Sequence, residues 1–290
     1  MKTPILLPLF VILLIFAASG CKPDMVAPMA TPTKEPASGG PSLGDTRIRS
    51  SDGMLMVYVP AGEFEKGIAD IPLERPAHTV ALDSFWIDRT EVSNAQFQRC
   101  VEAGRCDQPS CWKDNDLIRD NDDFGGPEQP VVCVDWYQAR TYCEWTGGRL
   151  PTEAQWEYTA RGPEGLEYPW GNEFDGTKLN YCDVNCPKKY ADEDFNDGYA
   201  YTAPVGSYPD GASWCGALDM GGNVREWTQD WFGEYPSERQ VNPTGPTSGI
   251  QRGVRGGAWD GLLFDTRNTV REGGRENLEF YWLGFRCASP

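Results

Sequence analysis

Regular alternation of apolar and polar positions begins at Leu55. "LMVYVPAGEFEKG" (Leu55 to Gly67) and "HTVALDSFWID" (His78 to Asp88) predict strands, the second alternating Val80 and Leu82 before a break. Three helix starts follow. In each, a cap residue is answered three positions later by glutamine: Ser93 by Gln96, Asp135 by Gln138 and Thr152 by Gln155. All three runs end near glycine and are only about two to three turns long, so packing rather than propensity must hold them. From Tyr168 onward glycine, proline and asparagine interrupt the apolar pieces, and no further helix is predicted. The chain carries no internal repeat.

The N-terminus, MKTPILLPLFVILLIFAASGC, has one positive charge, an apolar stretch from Pro4 to Ala18 too short for a comfortable membrane span, and then small residues. This is the pattern of a signal peptide. "AASGC" is similar to a bacterial lipobox, which predicts cleavage before Cys21 and lipid attachment to its thiol. The following segment is rich in Pro, Ala, Gly and Thr and poor in core-forming residues, as expected of a tether. The expected organisation is therefore a signal over 1–20, a lipidated cysteine and tether over 21–50, and one domain over 51–290. It places the protein in a bacterial cell envelope, held by its lipid and facing the periplasm or the exterior.

A formal charge of -17, with 26 Lys plus Arg against 43 Asp plus Glu, leaves no basic footprint for nucleic acid or anionic lipid. Membrane contact is expected through the lipid alone. Aromatic residues make up 12% of the chain and glycines number 32, which suits a loop-rich globule pinned by rings. Setting Cys21 aside leaves nine of the ten cysteines in an oxidising compartment, so at least one is unpaired or bonds between molecules. Cys182 with Cys186, and the trio Cys100, Cys106 and Cys111, are close enough for local staples. Spacing does not assign partners to these, to Cys133 or to Cys215. Zinc is the rival reading, but no cysteine pair has two-residue spacing and there is one histidine.

"DMGGNVREWTQDWF", Asp219 to Phe232, fits neither a helical nor a strand face, because Asp219, Gly222 and Glu226 are irregularly spaced around paired glycines. Together with "PAHTVALDSFWIDRTEVSNAQF", "GGRLPTEAQWEYTARG", "DGYAYTAPVGSYPDG", "GVRGGAWDG" and "LGFRCA", in this order, it resembles the sulfatase-modifying-factor family, whose founding member is formylglycine-generating enzyme. The resemblance covers about Met54 to Ala288. It implies an α+β, elaborated C-type-lectin-like fold, loop-rich with short helices and small sheets. It also implies two calcium ions. One site maps to the side chains of Asn180 and Asp197 and the backbone oxygens of Tyr181 and Tyr199. The other maps to Asp219, Gly222, Val224 and Glu226. Hard oxygen ligands and glycine-permitted bends suit that ion. The resemblance further implies a disulfide between Cys143 and Cys287, and a second whose positions are now Ala160 and Asn268.

The family's oxidase chemistry needs a copper-binding cysteine pair, and soft thiolates suit Cu(I). The corresponding stretch here, Gly256 to Gly274, has no cysteine; Asp260, Asp265 and Thr266 are its remaining polar groups, and the loop from Trp259 to Arg267 is about three residues shorter than in the enzymes. No copper is expected. The iron oxygenases of the superfamily need several histidines, whereas His78 is the one present, so no iron is expected either. A hydrolase lacks support for the same reason and for want of a G-x-S-x-G elbow. Cys215 reads as a disulfide half or buried small residue ahead of a nucleophile. Arg286 reads as a buried structural ion pair, and Trp227, Trp231 and Trp259 as core. The resulting expectation is a non-catalytic binding module for an unknown protein, peptide or glycan. Its alternative is an oxidoreductase acting on thiols through a non-standard centre drawn from Cys133, Cys182, Cys186 and Cys215.

Overall fold

The computed structural model describes residues 39–109 and 121–290. The signal, Cys21, most of the tether and Cys111 lie outside the described residues. Each of the two stretches holds two strands, the second divided at the expected break. Leu55–Val59 (β2) and Gly62–Lys66 (β3) are separated at Pro60, which has no amide hydrogen to extend the ladder; His78–Leu82 (β4) and Phe85–Asp88 (β5) are separated at Asp83 and Ser84. The pairing also starts earlier than expected. Thr46–Ile48 (β1) lies antiparallel to β2, so ordered structure begins before position 51, inside the stretch read as tether.

The three predicted helices form with the predicted caps. Asn94–Glu102 (α1), Trp136–Trp145 (α3) and Glu153–Arg161 (α4) each start with a reciprocal capping box, from Ser93, Asp135 and Thr152 respectively. A single turn, Asp122–Gly125 (α2), lies between the first two. Every residue of α4 is buried, including Glu153, Glu157 and Arg161, which makes it the central helix. Beyond it come Arg225–Trp231 (β6), Gln240–Val241 (β7), Arg252–Arg255 (β8), Arg271–Gly274 (β9), Leu283–Gly284 (β10) and Ala288–Ser289 (β11), with two short 3-10 turns and no α-helix among the described residues.

These strands make three small sheets, ordered β1-β2-β5-β11, β10-β6-β8-β9 and β3-β4-β7. Most neighbours are antiparallel; β10 with β6 and β7 with β4 are parallel. The result is the expected α+β, loop-rich arrangement. Burial alternates on β3, where Phe64 and Lys66 face inward and Glu63 and Glu65 face out. Phe97, Tyr142 and Phe285 stack in one core cluster; Phe64, Trp156 and Tyr158 lie in another. The Cys143–Cys287 disulfide ties α3 to the C-terminus, and Cys100–Cys106 and Cys182–Cys186 are local staples. Closing the long loop stabilises by roughly 5 kcal/mol in the chain-entropy account.

Candidate functional site

The Asp219–Phe232 stretch is held by a hub that the sequence reading missed. Asn223 has φ of 65°, a left-handed conformation that asparagine tolerates, and it is buried. Its side-chain oxygen accepts from Ala203 N at 2.9 Å and Asn180 Nδ2 at 3.2 Å, while its amide nitrogen donates to Ala203 O at 3.2 Å. Gly222 packs against the Asn180 backbone so closely that a Cβ there would sit 2.2 Å from Asn180 O. The Asn180 segment and the Asp219–Glu226 turn are thus one joined unit. Asp219, at φ 62°, opens the turn and accepts from Gly206 N at 2.6 Å.

Around Asp219 the charges do not balance. Glu226 accepts two-pronged contacts from the Arg286 guanidinium at 2.7–3.0 Å, and Trp156 Nε1 at 2.9 Å. Arg286 also donates to the carbonyls of Asp88, Arg89 and Leu218, stitching three loops together. The expected structural ion pair is therefore present, and it occupies the carboxylate of Glu226 that was expected to face an ion. The open carboxylate is instead Glu91, fully buried, neither of whose oxygens has a hydrogen-bond partner. Its neighbours are Asp219, Arg286 and Glu226. Glu91 and Asp219 lie near enough to share a proton, which is the one hydrogen bond open to Glu91. Burial, chiefly, pushes both carboxyls above their ordinary range. Three buried carboxyls beside one guanidinium leave a negative excess that one shared proton offsets only in part.

The Asn180 side has a related deficit. Asn180 Oδ1 is buried without a partner. Asp197 accepts from the amides of Tyr181 at 3.1 Å and Tyr199 at 2.9 Å. Burial first, opposed by those amides and reinforced by nearby Asp183, pushes Asp197 up to about 7. Asp183, completely buried, accepts from the Asp197 amide and is a second carboxylate absent from the sequence reading. Among the described residues no three His, Cys, Asp or Glu side chains gather closely enough to hold a metal by themselves. An ion at either place would draw on amide and backbone oxygens, such as Asn180 Oδ1 and the carbonyls of Gly222 and Val224.

Ala258 and Trp259 are buried, and then the chain surfaces through Leu262, Leu263 and Phe264, which are 48%, 40% and 55% exposed. The remaining polar groups close this loop. Asp265 accepts from Leu262 N at 3.0 Å and faces Arg225 at 3.8 Å; Thr266 donates to Leu263 O at 2.7 Å; Asp260 faces Lys188 at 3.9 Å. Cys182–Cys186 lies against the loop through Cys182 N to Gly261 O, 3.0 Å. Cys133 is also disulfide-bonded. Cys215 is the free cysteine among the described residues, and it is buried. Burial pushes its thiol above the ordinary value, the wrong direction for a nucleophile. Of the thiols named for a non-standard centre, three are in disulfides and the fourth is sealed. His78 is buried against the edge of Tyr235. Trp227 and Trp259 are core residues, whereas Trp231 is half-buried, its ring stacked beneath Arg252 at 3.5 Å.

The sequence profile of the "Sulfatase-modifying factor enzyme 1-like domain" matches residues 45–290. The chain belongs to this family. It is 33% identical to formylglycine-generating enzyme from Streptomyces coelicolor, with 90% of this chain and 96% of that protein aligned. It is 36% identical to the serine/threonine-protein kinase Pkn1 of Chlamydia trachomatis over 80% of this chain, but spans only 38% of that kinase's length. Among solved structures, PvdO from Pseudomonas aeruginosa superposes with a TM-score of 0.67 at 26% identity, covering 86% of this chain and 99% of PvdO. The family start at 45 agrees with β1 in placing the domain edge ahead of position 51.

Proposed function

We propose that this sulfatase-modifying-factor domain is a calcium-stabilised binding module rather than a formylglycine-generating oxidase. The observation that carries the reading is the Gly256–Gly274 stretch. Where the family's copper thiols are expected it has no cysteine, and it presents Leu262, Leu263 and Phe264 to solvent. An exposed apolar run beside Lys188, Tyr190 and Arg225 suits contact with a peptide or protein better than electron transfer. Calcium fits the interior deficit. Glu91 and Asp219, with the carbonyls of Gly222 and Val224, would hold one ion; Asn180 and Asp197, with Asp183 and the carbonyls of Tyr181 and Tyr199, would hold the other. The ion supplies positive charge and oxygen coordination that fix the loops. Glu226 and Arg286 orient this site from their own ion pair. The reading includes attachment of the domain to a bacterial envelope by a lipid on Cys21.

A peptide carrying a sulfatase-type cysteine motif, incubated aerobically with the protein, copper and reductant, tests the reading. The peptide mass is expected to remain unchanged. Conversion of the cysteine to formylglycine, with a rate proportional to protein concentration, would overturn it.

A further inference from the structure

A cleft lies beside β3, and none of Leu262, Leu263 and Phe264 lines it. It has a volume of about 420 Å³, and Lys66, Glu153, Asp230, Tyr235 and Arg271 line it, with Pro236, Pro243 and Pro246 among its walls. The strand alternation that buries Phe64 also turns Lys66 inward, where it is 4% exposed. An apolar residue could fill that position without desolvating a charge, so the lysine costs stability unless something answers it.

The protein answers it with an ion pair and an aromatic face but no hydrogen bond. Lys66 Nζ has no hydrogen bond among the described residues; it is 3.9 Å from Glu153 Oε2 and 3.9 Å from the Tyr235 ring centroid. Glu153 is already engaged. It accepts from Arg271 at 2.6 and 2.9 Å and from the Tyr235 hydroxyl at 2.8 Å. Asp230 is the opposite case. Its Oδ2 accepts from Glu153 N at 3.1 Å, but Oδ1 is buried with no partner, and the residue is 3% exposed. Burial and the neighbouring Glu153 push its carboxyl up to about 7. The cleft lining therefore includes an ammonium with no hydrogen-bond acceptor and a carboxyl whose second oxygen, itself buried, has no donor.

Charge decides what could satisfy both. Glu153, Asp230 and Glu234 outnumber Lys66 and Arg271 on the lining, so an anion is disfavoured, and the two buried cations disfavour an amine. Hydroxyl groups meet both demands, since each donates and accepts, and the proline walls offer apolar faces to carbon-bound hydrogens. We infer that this cleft is a binding site for a neutral hydroxylated ligand, such as a sugar unit, held by Lys66 as donor and Asp230 as acceptor. A cleft of this size holds a ligand of about that class. The inference does not rest on the calcium or oxidase readings.

The test is saturation-transfer NMR on the intact domain with glucose, galactose, mannose and N-acetylglucosamine, and citrate as the anionic probe. At least one sugar is expected to receive saturation and citrate none. Asp230→Asn and Lys66→Met are each expected to weaken that sugar at least 10-fold, with folding checked by circular dichroism. Pro246→Trp, at the exposed rim, blocks the cleft without touching the buried charges and is expected to abolish the signal. Silence from all four sugars, a signal that survives Pro246→Trp, or preference for citrate would overturn the inference.

Discussion

Two buried charged regions both reach Trp156, one through Arg255 over its ring at 5.1 Å and the other through Glu226, which accepts from its Nε1 at 2.9 Å, and they solve the same problem differently. On the α4 side, Arg255 meets Glu157 at 2.7 Å, Arg271 meets Glu153 at 2.6 Å, Arg161 meets Glu157 at 3.1 Å and Arg267 meets Glu74 at 2.9 Å. Each carboxylate has a guanidinium, and spare N–H groups reach carbonyls such as Asn268 O and Thr269 O. On the other side, Glu91, Asp219 and Glu226 share Arg286. The first network pairs each of these carboxylates with a cation, although Arg161 Nε and Arg255 Nε are buried without a partner. The second has a negative excess that only protons or a cation can offset, and this difference separates a structural charge cluster from a candidate ion site.

The sharpest break falls in the paired network. Arg255→Ala removes the partner of Glu157 Oε2, leaving that carboxylate only its Arg161 and Gly67 contacts, and is expected to cost about 3–5 kcal/mol, equally with and without calcium, as read by urea denaturation. Chelation acts on the open cluster. Removing an ion present at 100 times its dissociation constant costs about 2.7 kcal/mol per site, so EGTA is expected to lower the melting temperature by roughly 5–10 °C for each site it empties. The sign of the carboxyl shifts agrees. Glu91 and Asp219 hold protons to higher pH in the fold than in the unfolded chain, so ionising them without an ion destabilises as pH rises. Glu91→Gln has the smallest effect on stability itself. In EGTA it is expected to melt within about 1 kcal/mol of the parent or above it, and to have lost most of the calcium response. A full calcium response in that variant would remove Glu91 from the site.

Local signals were readable along the chain. Ser93, Asp135 and Thr152 announced their helices because a capping box is complete within four residues. The family motifs gave the fold class and the Cys143–Cys287 bond. The break after Leu82 was legible, whereas the one at Pro60 was less so, since apolar residues continue on both sides. The site was legible only in part. Asp219, Gly222 and Glu226 stand in one unit, Glu226 with Arg286 on its carboxylate, while Glu91, Asp183 and Asn223 were missed. Glu91 joins its partners through tertiary contacts far along the chain, which no local spacing encodes. A buried acid just ahead of a helix cap, in "TEVSN", was the signal available for it. For Lys66 the signal was its inward phase with Phe64.

The most direct test of the central claim is elemental mass spectrometry of the protein purified from its native envelope without added metal. The account predicts about two calcium ions per chain and no stoichiometric copper or iron. Stoichiometric copper or iron, or protein free of calcium whose melting curve calcium does not move, would contradict it.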